Sequence, residues 1–166
     1  TESTLHMEIE LPSGKQYKTA CNIVIFPENN PTNVQKALDC VGLKDGQVIR
    51  VQPGPSKPKL PCPEYITVGN FFRSFVDLQG SLKKSALKAL SKVTSNATAS
   101  AELERLASKD GEREFQELVE KNFGIIDVIT NFGIKLDIVD FVAISTRILP
   151  RYYTVSSSNQ MSPNVL

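Results

Sequence analysis

The chain has 166 residues and 18.3 kDa of mass, room for one compact domain or a small domain with an appendage. Nineteen Lys and Arg against eighteen Asp and Glu leave a net charge of +1, so no basic field points to nucleic acid or to an anionic membrane. Cys21, Cys40 and Cys62 are odd in number, widely spaced and without a C-x-x-C pair, which fits reduced thiols in a cytoplasmic setting better than a disulfide framework or a metal site.

The first element is a strict alternation. Leu5, Met7, Ile9 and Leu11 are apolar and His6, Glu8 and Glu10 polar, the period of a half-buried strand. Pro12-Ser13-Gly14 is a turn signal, and the apolar run Ile23-Val24-Ile25-Phe26, ended by Pro27, predicts a strand covered on both faces. Thr32 with Gln35 has the form of a capping box, so a helix of about two turns is expected through Val34, Ala37, Leu38 and Val41 to a stop at Gly42. Val48-Ile49-Arg50-Val51 reads as a short strand. Five of the ten prolines fall between Pro53 and Pro63, which predicts a linker or surface loop.

Beyond that stretch helical spacing takes over. Thr67 caps a stripe of Val68, Phe71, Phe72 and Phe75; further stripes follow after Ser81, Ser100 and Gly111, another at Ile125, Val128, Ile129 and Phe132, and a last one at Ile138, Val139, Phe141 and Val142. Five or six short helices are expected. Strand character returns at Tyr152 to Val155, and the polar stretch Ser156 to Leu166 is expected to fray. A helical block flanked by strands on both sides is most simply an insertion into a sheet, with the late strand rejoining the opening ones.

The richest chemistry lies in that return strand. Arg151-Tyr152-Tyr153-Thr154 follows Leu149-Pro150 and precedes Val155-Ser156-Ser157-Ser158. A guanidinium can grip a pyrophosphate through paired charge-assisted hydrogen bonds, an aromatic face can lie on an isoalloxazine, and a hydroxyl can donate or accept at a ring nitrogen. A plain surface strand with an exposed Arg and two half-buried tyrosines is the competing reading. Elsewhere the signals are weaker. His6 is read as solvent-exposed, Phe71, Phe72 and Phe75 as core rather than a docking surface, and Lys83, Lys84, Lys88 and Lys92 as a solvated face. Asn96-Ala97-Thr98 has the glycosylation form without an expected role, and Glu102, Glu104, Glu112 and Glu114 lack a convergent nucleophile or histidine, so a hydrolase has no support.

Taken in order, these pieces resemble the NADPH-dependent diflavin reductases. The strand Leu5 to Leu11, the Phe26-Pro27-Glu28-Asn29 signature, Thr67-Val68 with Phe75, Asp77 and Leu78, the run Leu103 to Phe115, and Leu149 to Ser158 as an R-x-Y-[ST] motif with a serine-rich tail together carry the resemblance. It implies an α+β fold: a partial antiparallel FAD-binding β-barrel interrupted by an all-α helical connecting insertion. The implied segments are 1–64 for the first part of the barrel, 65–147 for the connecting block, and 148–166 for the return strand. It implies FAD contacts at Arg151, Tyr152, Tyr153 and Thr154: Arg151 on the pyrophosphate, Tyr153 stacked on the isoalloxazine, and Thr154 near N5 as the catalytic candidate. Ideal strand alternation puts Arg151 and Tyr153 on one face and Thr154 on the other, so the flavin is expected to meet the strand at its edge or end.

NADPH and FMN, an FMN-binding domain and an acceptor protein are implied for a larger parent, with no metal and no membrane segment in this chain. Cys21-Asn22 departs from the Gly-Asp pair common in the family, which predicts a variant loop. No G-x-G-x-x-G or P-loop is present, so the segment is read as part of a larger reductase that alone binds FAD weakly or not at all. The alternative is a non-catalytic helical protein-interaction module.

Overall fold

The computed structural model describes residues 5–52 and 62–165; most of the proline-rich stretch predicted as a loop, 53–61, lies outside them. The described chain is α+β. Its elements in order are β1 (Asn22–Ile25), α1 (Pro31–Val41), β2 (Val48–Arg50), β3 (Tyr65–Thr67), α2 (Val68–Ser74), β4 (Val76–Asp77), α3 (Lys84–Val93), α4 (Ala97–Ala107), α5 (Glu112–Glu120), α6 (Ile125–Asn131), α7 (Ile138–Ile144), β5 (Thr146–Arg147) and β6 (Arg151–Thr154). The strands form antiparallel pairs, β1 with β6, β2 with β3 and β4 with β5, and no closed barrel is seen among the described residues. The chain packs as two units, Thr1–Pro27 with Leu149–Leu166, and Glu28–Ile148.

In the larger unit, short-range chemistry explains where helices begin and end. Asn30, not Thr32, caps α1: its side chain accepts from the Thr32 N–H, with Pro31 in the first turn where a missing N–H costs nothing. The helix runs three turns rather than two and stops at Gly42, whose φ of 67° lets its N–H reach the Leu38 carbonyl. Thr67 caps α2 through the Asn70 N–H, and Asn96 caps α4 through the Ala99 N–H, which gives the glycosylation-like triplet a structural role. The apolar faces of these helices meet in one core. Phe71, Phe72, Leu87, Leu90, Leu103, Ile126 and Phe141 are at most 2% exposed, with Phe72 and Phe141 edge to face at 5.1 Å.

Asn29 holds the entry to this unit. Its Nδ2 donates to the carbonyls of Phe72 (2.6 Å) and Val76 (2.5 Å), and its backbone N–H donates to the Arg73 carbonyl. One side chain thus satisfies carbonyls at the C-terminal end of α2 and the start of β4. Ion pairs lace the outer surface: Arg105 of α4 bridges Glu102 and Glu114, and Lys84 of α3 pairs with Glu112 of α5. The Lys84 ammonium also lies 5.3 Å from the Phe115 ring, so one member of the expected solvated lysine face is committed within the fold.

The smaller unit departs from expectation at both ends. Among the described residues Leu5 to Leu11 forms no ladder; one bridge joins Glu10 to Val165, and Leu5 and Met7 stay exposed while Ile9 and Leu11 are half-buried. The β1 strand is covered on neither side in full, with Ile23 and Ile25 half-buried and Val24 open to water. The polar tail does not hang free. It turns at 158–162 and is fastened by Thr19 Oγ1 donating to Asn159 Oδ1 (2.7 Å) and by the buried Tyr17, whose hydroxyl donates to the Ser162 carbonyl (3.0 Å). Such side-chain bonds leave no trace in hydrophobic periodicity.

Candidate functional site

Pro150 cannot donate a backbone hydrogen bond or continue a helix, and the β-favouring run Tyr152-Tyr153-Thr154-Val155 follows it directly. The result is β6, antiparallel to β1 in the register Asn22 with Thr154, Ile23 with Tyr153, Val24 with Tyr152 and Ile25 with Arg151. The four residues of the expected site are therefore on one strand, all exposed. Tyr153 is 49% exposed and Tyr152 67%. Neither phenol is sealed into packing.

Alternation divides them between two faces. Arg151 and Tyr153 share the face of the half-buried Ile25 and Ile23, which continues to the buried Val155. Tyr152 and Thr154 share the other face with Val24 and Asn22, which is open throughout. The Val155 N–H donates to the Cys21 carbonyl at 2.8 Å, so hydrogen-bonded pairs fall at Cys21–Val155, Ile23–Tyr153 and Ile25–Arg151. The backbone groups of Tyr152 and Thr154 then point away from β1, toward the edge of this sheet that no strand pairs among the described residues.

Each side chain has a distinct chemical state. Arg151 has no carboxylate partner among the described residues, unlike Arg50, Arg73, Arg105 and Arg113, which all pair with acids. The Thr154 hydroxyl donates to Asn22 Oδ1 at 3.0 Å. Asn22 meets Thr154 only through the β1–β6 register, 132 positions apart in the chain, which no local sequence pattern records. The turn before it is also resolved: Ala20, not Cys21, takes the left-handed conformation (φ 59°), and the Cys21 N–H closes the turn onto the Lys18 carbonyl.

Other candidates take structural roles. His6 is 83% exposed beside Glu8, and Phe71 and Phe72 are in the core rather than lining a groove. Burial raises the Cys40 thiol pKa, which keeps it protonated and unreactive. Among the described residues no three His, Cys, Asp or Glu side chains converge as a metal site, and no helix is long and apolar enough to cross a membrane.

The sequence profile of the FAD binding domain matches residues 1–166, the whole chain. The chain belongs to this FAD-binding domain family. Among curated relatives, it is 33% identical over 167 residues to the bifunctional cytochrome P450/NADPH–P450 reductase 2 of Bacillus subtilis (strain 168), covering 100% of this chain and 16% of that protein. It is 25% identical to the NADPH–cytochrome P450 reductase of Dictyostelium discoideum, covering 94% of this chain and 24% of the relative. The NADPH–cytochrome P450 reductase of Saccharomyces cerevisiae is 27% identical over 93% of this chain and 23% of its own length. This FAD-binding domain chain thus spans less than a quarter of the length of these relatives.

Proposed function

We propose that the β6 strand is the flavin-gripping element of an NADPH-dependent diflavin oxidoreductase. In it, Arg151 binds the FAD pyrophosphate, Tyr153 stacks on the isoalloxazine, Tyr152 borders the cofactor, and Thr154 sets its hydroxyl near N5. The observation that carries this reading is an exposed, carboxylate-free guanidinium on the same strand face as an exposed phenol, two residues apart, in a chain of the FAD-binding family. That donor set fits the cofactor: a fork of N–H groups for phosphate oxygens, a flat ring for a flat ring, and a hydroxyl at the adjacent position. Because Thr154 lies on the opposite face from Tyr153, the cofactor meets the strand along its open edge, where the backbone groups of Tyr152 and Thr154 are also directed. Bound there, FAD would supply two-electron chemistry that a protein side chain cannot.

The reductase names of the relatives support the wider assignment. In it, reducing equivalents pass from NADPH through FAD and an FMN-binding domain to an acceptor protein, in the cytoplasm. The ribbon of β1 and β6 belongs to a partial FAD-binding barrel, and 65–147 forms the connecting block that spaces the two flavins. The P450-reductase relatives nominate a haem protein as acceptor.

Replacing Arg151 with Ala in the full-length protein tests the assignment. Losing a charge-assisted hydrogen-bonded pair is expected to weaken FAD retention by about 1.5–3 kcal/mol. Unchanged flavin content after gel filtration would refute the role.

A further inference from the structure

We infer that Asn22 is a positioning residue that fixes the polarity of the Thr154 hydroxyl, so that the ribbon offers the flavin N5 a hydrogen-bond acceptor and favours the reduced cofactor. The inference rests on the FAD reading above. Asn22 and Thr154 face each other across β1 and β6, and because the neighbouring Cys21–Val155 pair carries the backbone bond, theirs is a non-hydrogen-bonded pair, the position where cross-strand side chains come closest. The Thr154 Oγ1 donates to Asn22 Oδ1 at 3.0 Å, and both residues are exposed.

A hydroxyl has one proton and two acceptor lone pairs. With the proton engaged by Asn22, only lone pairs remain for a third group, and the exposure of both side chains leaves them accessible. The flavin N5 is a bare acceptor when oxidised; reduction adds two electrons from the reductant and a proton at N5, which makes it an N–H donor. An acceptor-only hydroxyl is mismatched to the first state and matched to the second. Asn22 is electrically neutral, so this preference acts through the orientation of Thr154 and not through a charge of its own. Without the Asn22 amide the hydroxyl turns freely, donates to oxidised N5, and the preference disappears.

The test is a double-mutant cycle in the full-length flavoprotein, reading the FAD midpoint potential by spectroelectrochemical titration with dithionite. Asn22→Ala should lower the ratio of the oxidised-state to the reduced-state FAD dissociation constant about tenfold, a fall of about 30 mV in a two-electron midpoint. In a Thr154→Val background the same change should do nothing. An unchanged or raised midpoint in Asn22→Ala, or an equal shift in both backgrounds, overturns the inference. Arg151→Ala separates it from the reading beneath: full FAD retention in that variant refutes the FAD role itself, whereas lost retention there with an inert Asn22→Ala refutes only the Asn22 proposal.

Discussion

Tyr153 and Thr154 are adjacent in sequence and opposite in direction, and the proposed site depends on that fact. The pleat of β6 presents a ring on one face and a hydroxyl on the other, so in the proposed site only an approach along the strand edge engages both. Tyr153→Ala in the full-length protein should therefore loosen FAD and raise the fluorescence of what stays bound, since a stacked phenol quenches the isoalloxazine; a spectrum and affinity like those of the parent would argue against stacking. Ala20 offers a second test at this scale. A non-glycine residue in the left-handed region costs about 1–2 kcal/mol, partly offset on substitution by the greater unfolded freedom of glycine. Ala20→Gly should then stabilise the protein by about 0.5–1 kcal/mol, visible as a higher thermal midpoint, and a lower midpoint would contradict the strain. The buried Cys40 should resist alkylation until the protein unfolds, while the half-exposed Cys21 reacts first; equal rates under native conditions would be the contrary result.

Among the elements, Asn29 has consequences well beyond its size. Asn29→Leu would strand the carbonyls of Phe72 and Val76 at the α2–β4 junction, and should cost about 2–4 kcal/mol by urea denaturation; a loss under 1 kcal/mol would deny the clamp. The α4–α5 surface carries a pH signature. A hydrogen bond from Arg105 lowers the pKa of Glu102, one from Lys84 lowers that of Glu112, and Glu114 is lowered by a backbone N–H and by Arg105. Their folded values lie below the ordinary 4.5, so their stabilisation is present above that value and is lost as pH falls through the depressed ones. A urea midpoint that falls between pH 5 and pH 3, and falls less in Arg105→Ala, is the expected outcome; because these groups are exposed, the effect is small and is screened by salt. Much at this scale was legible in the sequence: the Phe71–Phe72 stripe, the Thr67 cap and the Gly42 stop all act within one or two turns. The Leu5–Leu11 ladder and the full burial of Ile23 to Phe26 were expected and are not observed, because alternation reports a strand's wish for cover and not whether a covering layer is present. The β2–β3 and β4–β5 pairs and the Asn22–Thr154 bond join positions far apart in sequence, which local pattern does not record.

At the scale of the whole chain, 28–148 is a helical body with a continuous phenylalanine- and leucine-rich core, whereas 1–27 with 149–166 rests on a two-stranded ribbon and a fastened tail. Among the described residues of 1–27 and 149–166 the only strand ladder is that of β1 with β6, and two strands alone are marginal in water, while small-molecule sites usually enclose most of their ligand. The 166-residue chain by itself should therefore bind FAD only weakly, and saturable micromolar binding in a fluorescence titration would show that no further polypeptide is needed. The central claim, that the ribbon of β6 grips the cofactor, is tested most directly by the FAD dissociation constant of the full-length apoprotein carrying Arg151→Ala. The account predicts a rise of at least tenfold with the helical fold intact by circular dichroism. A dissociation constant equal to that of the unsubstituted protein would contradict it.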